Sequence, residues 1–284
     1  MHIANVHGRA VLVTGEATGV DIANASKGRF GPAPADLYVA WDEFLAWAAD
    51  GPTGPVVEFS PTELGPPSPT PSQIFAIGLN YRDHAEEAGF AIPERPTVFT
   101  KFASSLSGPD TEVVLPDGDV DWEVELVVVI GRMTRNAEIS DAWRAVAGLT
   151  AGQDLSERRL QRSGPAPQFS LAKSHAGFGP TGPYLVTPDE LDEPGDLEIG
   201  CSVNGEEVQK SRTSRLIFGI EELIVHLSAV TTLHPGDLIF TGTPSGVGAV
   251  RTPARYLTPG DELVSYVHGV GRLRQTFVAA GGRA

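Results

Sequence analysis

Cysteine is almost missing from this sequence: Cys201 stands alone among 284 residues. A single cysteine excludes an internal disulfide and any cysteine-built zinc site, and its ordinary place is inside the core as a small apolar side chain. Positive charge is also scarce, with 21 Lys and Arg against 36 Asp and Glu and a net charge of −15. No basic cluster interrupts that balance, which argues against nucleic acid and anionic membrane surfaces as partners. No apolar run reaches the length of a membrane-spanning helix, and the opening MHIANVHGRAVLV lacks the basic, apolar and small-residue zones of a secretion signal. A cytoplasmic protein is the expectation. Aromatics make up only 7% of the chain, whereas 32 glycines and 23 prolines point to many turns and a sheet-dominated fold with few long helices.

Organisation follows from pattern. HIANV and RAVLVTG suit two short strands, and LYVAWDEFLAWAAD carries apolar residues at helical spacing at 38, 41, 44, 45 and 47. These belong to a small N-terminal α/β domain, residues 1–66. The Pro/Ser-rich stretch that ends at residue 72 cannot hold regular structure, so 67–72 is read as a linker and 73–284 as the main domain. There IFAIGL, TVFTKF, VELVVVIG, GPYLVT, LEIGCSVNG, DLIFTGT and ELVSYVHGVG have the length and turn-bounded character of strands, while RLIFGIEELIVHLSAV is the clearest helix. The fold class is α+β, predominantly mixed β, with the main sheet expected to close on itself like a roll or barrel.

Chemistry is concentrated in DWEVELVVVI. Glu123 and Glu125 lie two apart, hence on one face of a strand and roughly 7 Å apart along its rise. Such a pair alone is more often a solvated strand face. The apolar run directly after Glu125 instead places it at the rim of a core, where two carboxylates need a cation. Asp154 in AGQDLSERRLQ offers a third oxygen ligand, completing a set that suits Mg²⁺, Mn²⁺ or Ca²⁺ better than zinc.

IGLNYRDHAEEAG, DWEVELVVVIG, GQDLSERRLQ, AKS and LIFTGTPSGVG, in this order and spacing over residues 73 to about 270, resemble the fumarylacetoacetate hydrolase family, in particular its shorter acylpyruvase-type members. The resemblance implies that Glu123, Glu125 and Asp154 are metal ligands. It also implies catalytic roles for His84, Glu87 and Lys173, and substrate contacts from Tyr81, Arg158, Gln161 and Thr243. These roles fit the residue chemistry. A histidine three residues before a glutamate shares its helix face and can activate water; on sequence alone His84 is more readily read as a surface histidine on a Glu-rich helix, and the preceding Asn80-Tyr81 context reverses that reading. Lysine leaving a strand beside three carboxylates would balance them. Arg158 and Gln161 share a face if a helix begins near Asp154, with Arg159 toward solvent, and an arginine fork suits a carboxylate. The hydroxyl of Thr243 and the N–H groups of its Gly-rich turn could hold the same group.

The implied substrate is a small 2-oxo acid with a second oxo group at C4, cleaved between C3 and C4 through a metal-stabilised enolate. Decarboxylation of oxaloacetate, isomerisation or hydration of 2-oxo-hept-ene-dioates, and a catalytically silent metal-binding protein are the rivals. A homodimer is expected by the same resemblance. His175 and Ala176 depart from the family pattern, which carries an aromatic and an acidic residue after the lysine.

Overall fold

The computed structural model describes residues 1–281. Its centre is the strand Val124–Ile130, every residue of which is buried. That follows from the run VELVVVI, because a strand covered on both faces needs apolar side chains on both. Val124, Leu126, Val128 and Ile130 enter one core, and Val127 and Val129 enter another on the opposite side. Antiparallel neighbours Val146–Gln153 and Leu238–Phe240 flank it.

From the central strand the sheet extends one way through Ile74–Gly78 to Thr97–Thr100, and the other way through Gly179–Val186 to His2–Val6, Arg9–Gly15, Thr18–Asp21 and Val56–Glu58. The end strands Val56–Glu58 and Thr97–Thr100 do not pair with one another, so the sheet is open rather than closed as the sequence suggested. A second sheet of five strands, Glu206–Arg212, Glu198–Val203, Glu262–Val267, Gly271–Ala279 and Asp110–Leu115, covers one face. Ile199, Leu263, Leu273 and Phe277 from this sheet meet Leu126, Val128 and Leu149 from the first, and Leu223, Ile224 and Leu227 of the helix Ile220–Val230 join them. Two sheets packed through alternate residues, with helices at the margins, give the expected mixed α+β architecture.

The N-terminal residues extend the large sheet: Ile3 pairs with Leu185 and Ala4 with Tyr184. Phe30, Leu37, Trp41 and Phe44 cover the face opposite the second sheet. The segment expected as one helix over 37–50 forms two, Pro34–Val39 and Trp41–Ala49, interrupted where Ala40 leaves helical geometry at φ −127° and ψ 43°. Residues 66–73 hold no helix or strand. They are nevertheless tied down: Tyr38 donates to the Pro67 carbonyl at 3.1 Å, and Ser68 to the Gly236 carbonyl at 2.6 Å. The helix expected from 215 begins only at Ile220, after Gly219, whose N–H donates to Glu222 at 2.8 Å. Among the described residues no helix is long and apolar enough to cross a membrane.

Candidate active site

Two adjacent strands bring the carboxylates together. Glu123 precedes the central strand, Glu125 lies within it, and Asp154 follows the adjacent strand Val146–Gln153. Ligand oxygens from the three lie within 4.8 Å of one another, and all three residues are buried. The backbone at this point is fixed by side chains: the N–H of Glu123 donates to Gln153 Oε1 at 2.8 Å and that of Val124 to Gln209 Oε1 at 3.0 Å. Gln209 arrives from the second sheet, and its amide nitrogen also donates to Thr243 Oγ1 and the Pro244 carbonyl, each at 2.8 Å. One glutamine thus joins the start of the central strand to the turn carrying Thr243.

Cations surround the carboxylates. Lys173 Nζ donates to Glu123 Oε2 at 2.7 Å and to Asp154 Oδ2 at 2.6 Å. It does so from the end of the short helix Phe169–Ala172, not from a strand as the sequence suggested. Lys101, fully buried, donates to Asp154 Oδ1 at 2.7 Å and also to the Lys173 carbonyl. Arg158 begins the short helix Arg158–Gln161, four residues later than a helix starting at Asp154 would, because Glu157 caps it by accepting from the N–H groups of Arg159 and Leu160. The Arg158 guanidinium donates from Nε to Asp121 Oδ2 and from Nη1 to Gln161 Oε1, each at 2.9 Å, while its Nη2 forms ion pairs with Asp121 and Glu123 at 2.7 Å. One of the two Nη1 protons is left for a ligand. Arg159 points to solvent and pairs with Asp119 at 2.7 Å.

These contacts split the two glutamates. Burial presses Glu123 upward, but Lys173 and Arg158 outweigh it and hold its carboxyl down at about 2. Glu125 receives one N–H bond, from Gly242 at 2.8 Å, and burial together with the charges of Asp154 and Glu123 raises its carboxyl well above the usual range. Gly242 is required there: its φ is +105°, and a Cβ would stand 2.7 Å from that of Asn80. Around Lys173, burial lowers the ammonium's affinity for its proton, and Asp154 and Glu123 more than restore it. For Lys101, burial prevails over the attraction of Asp154. With Asp121 included, four carboxylates face three cations, and among the described residues Glu125 has no cation partner of its own. An oxygen-only, buried, under-neutralised set of this kind fits a divalent metal such as Mg²⁺ or Mn²⁺.

A cavity of about 390 Å³ opens beside the carboxylates, with His84, Glu123, Arg158, Gln161, Lys173 and Thr243 in its wall. His84 lies on the helix Arg82–Glu87, its Nδ1 3.7 Å from Glu87 Oε2, and that nitrogen is buried without a hydrogen-bond partner. Glu87 Oε2 accepts from the Gly246 N–H at 2.9 Å, and Ser245 Oγ lies 3.3 Å from Asp83 Oδ2, so this helix is fastened to the Thr243 turn. Tyr81 is wholly buried below the helix, its hydroxyl unpartnered; burial, then the charges of Glu125 and Asp83, raises its pKa. His175 stands outside the cavity wall, with its ring 4.9 Å from that of Phe178.

Sequence reasoning passed over Lys101, Asp121, Gln153 and Gln209. The Asp121 carboxylate accepts from Arg158 and from the N–H groups of Gly248 and Ala249, at 2.7 and 2.9 Å. A lysine inside the apolar run TVFTKF and a glutamine inside GLTAGQD were the available signals, since polar side chains in buried runs need partners.

The chain is similar to known proteins over most of its length. The family model described as Fumarylacetoacetate (FAA) hydrolase C-terminal matches residues 73–278. The human mitochondrial oxaloacetate tautomerase FAHD2B is 42% identical over 219 residues, covering 76% of this chain and 70% of its own length. A provisionally named HpcE protein from Mycobacterium smegmatis is 58% identical, with a TM-score of 0.95 over 99% of this chain and 100% of the other. Maleylpyruvate hydrolase from Sphingobium sp. SYK-6, solved with manganese(II) and pyruvate, is 28% identical with a TM-score of 0.80, over 99% of this chain and 100% of its own. With its carboxylate site, its two-sheet core and a family match over most of its length, the chain belongs to the fumarylacetoacetate hydrolase family.

Proposed function

We propose that the protein is a divalent-metal-dependent enzyme that hydrolyses the C3–C4 bond of a small 2,4-dioxo acid of the acylpyruvate type. The observation that carries this reading is the buried cluster of Glu123, Glu125 and Asp154 beside a cavity whose wall includes Glu123, His84 and Lys173. These three carboxylates would hold Mg²⁺ or Mn²⁺, with Ca²⁺ admitted by the same oxygen set, and the bound ion would supply Lewis acidity toward the 2-oxo oxygen.

The other tasks fall to side chains. The remaining Nη1 proton of Arg158, the Gln161 amide and the Thr243 hydroxyl face the cavity and orient the substrate carboxylate. His84 takes a proton from water as that water attacks C4, and Glu87, fixed by the Gly246 N–H, steadies the imidazolium. The C3–C4 bond then breaks, its electron pair passes to C3, and C4 leaves as a carboxylic acid. Lys173 lies beside the negative charge that develops on the three-carbon fragment, which accepts a proton to become pyruvate. The same reading takes the protein to act as a homodimer, which sedimentation of the purified chain checks.

A second reading is a reaction of oxaloacetate without hydrolysis: tautomerisation, favoured by the name of the 42% identical human relative, or decarboxylation, which uses the same enolate. Neither reaction needs an attacking water. The two are separated by following acetylpyruvate absorbance and oxaloacetate conversion side by side, with Mn²⁺, for the wild type and His84→Ala. Hydrolysis of acetylpyruvate that His84→Ala reduces by about 10²-fold or more supports the first reading. Undiminished hydrolysis in that variant would remove His84 from water activation, and conversion of oxaloacetate alone would install the second.

A further inference from the structure

The cavity changes polarity within one side chain. Lys173 Nζ, bonded to Glu123 and Asp154, stands 5.1 Å from the centroid of the Phe99 ring, and Phe99 meets Phe169 edge to face at 5.5 Å. Beyond them the wall continues through Leu79, Phe90, Val247 and Val250. None of these offers a polar side-chain atom, and the cavity's volume of about 390 Å³ lies within the ~300–1,000 Å³ of clefts that enclose ligands of drug size.

Two features indicate that this end is built rather than left over. Leu79 has a left-handed backbone, φ 53°, which an ordinary side chain adopts at a cost. Asn80 enforces it: its amide donates to the Phe218 and Thr241 carbonyls at 3.0 and 2.7 Å, and its Oδ1 accepts from the Phe218 N–H at 2.9 Å. Phe90, just past the His84 helix, is 61% exposed. An apolar ligand would remove that surface from water, whereas a second carboxylate placed there would be desolvated without a partner. The one further cation in the wall, Arg162, is exposed at the end of its helix, where a charge is screened by solvent.

We propose that the far end of the substrate is an extended, uncharged, apolar group rather than a second carboxylate. This rests on the reading that the inner end takes a 2-oxo acid head. The names of the relatives do not supply it, since oxaloacetate and maleylpyruvate both end in a carboxylate.

The test is calorimetric titration of the Mn²⁺-loaded protein with two 2-oxo acids of equal chain length, 2-oxooctanoate and 2-oxosuberate. Both present the same head, and neither has the C4 oxo group, so binding is read without turnover. The expected result is that 2-oxooctanoate binds about tenfold tighter or more, and that Phe169→Ala narrows the ratio. Equal or tighter binding of 2-oxosuberate, with Arg162→Ala weakening that acid alone, would overturn the proposal while leaving the 2-oxo acid head in place. Failure of both acids to bind a protein that still binds Mn²⁺ would overturn the head and the tail together.

Discussion

Around the carboxylates at the inner end of the cavity nearly every charged group has a charged neighbour within hydrogen-bonding reach, whereas the outer end is walled chiefly by apolar side chains, with the exposed Arg162 at its margin. The carboxylates come from the interior of the sheet, Glu125 from its central strand and Asp154 from the end of the next, while Lys101 reaches them from just past the edge strand. The outer groups come from its margins, namely the edge strand Thr97–Thr100, the segment after the His84 helix and the turn after Thr243. Rigid strands suit groups that must hold an ion, and marginal segments suit a wall that selects among substrates.

The largest expected effect breaks the inner end. Asp154→Asn removes a charge that two buried lysines and the proposed ion all require, and should lower turnover by at least ~10²-fold, measured as Mn²⁺-dependent loss of acylpyruvate absorbance. Removal of the ion by EDTA should have a comparable effect on the wild type, reversed by adding Mn²⁺ back.

Next in size is Lys101→Met. It leaves Asp154 with Lys173 as its remaining ion-pair partner, in a place without solvent. Breaking one side of a buried ion pair costs about 3–5 kcal/mol, read as a lower denaturant midpoint of the metal-free protein. An unchanged midpoint would mean that Lys101 is not held where the structure places it.

The two glutamates sharpen the comparison because burial raises both, while the cations Lys173 and Arg158 overcome it at Glu123 and the neighbouring carboxylates add to it at Glu125. Glu123 is depressed to about 2, so its pairing stabilises the fold above the ordinary glutamate pKa and that stability is lost as pH falls from there toward 2. Glu125 is raised, so its ionisation opposes folding as pH climbs from the ordinary value through its elevated one. In the metal-free protein at neutral pH, Glu123→Gln should therefore lower the melting temperature and Glu125→Gln should raise it, while both weaken Mn²⁺ binding. Below the ordinary glutamate pKa the gain from Glu125→Gln should vanish. Melting curves of the two variants moving in the same direction would contradict the split.

A smaller effect is expected at the support. Gln209→Leu removes the amide that fixes Thr243 and the backbone of Val124, the residue between the two proposed glutamate ligands, and should weaken Mn²⁺ by about 10-fold. Smallest is Phe90→Ser at the outer end. With its side chain largely in solvent, it should leave the unfolding free energy within about 0.5 kcal/mol of wild type and raise KM for substrates with apolar tails alone.

The same contrast explains what could be read from the sequence. Glu123, Glu125 and Asp154 were legible because carboxylates beside VVVI or after a buried run are expensive, and an expensive residue invites a reason. The central strand and its neighbours were legible for the complementary reason, as short apolar runs between turn residues. Phe99 and Phe169 gave no such signal, because an apolar residue in an apolar run is read as core whether it faces a core or a cavity. Lys101 was hidden inside TVFTKF, and Asp121 was overshadowed by the two glutamates that follow it. The closed barrel failed because local alternation sets which face each strand buries, while closure depends on whether the two end strands meet, a long-range property that short patterns do not encode.

The most direct test of the central claim is the rate of acetylpyruvate hydrolysis against Mn²⁺ concentration, with calorimetric Mn²⁺ binding measured on the same wild-type and Glu125→Gln preparations. A Mn²⁺-dependent rate in the wild type that saturates with the bound ion, and loss of both binding and rate in the variant, is the result the account predicts. Full hydrolysis by the variant, or by wild-type protein stripped of metal, would contradict it.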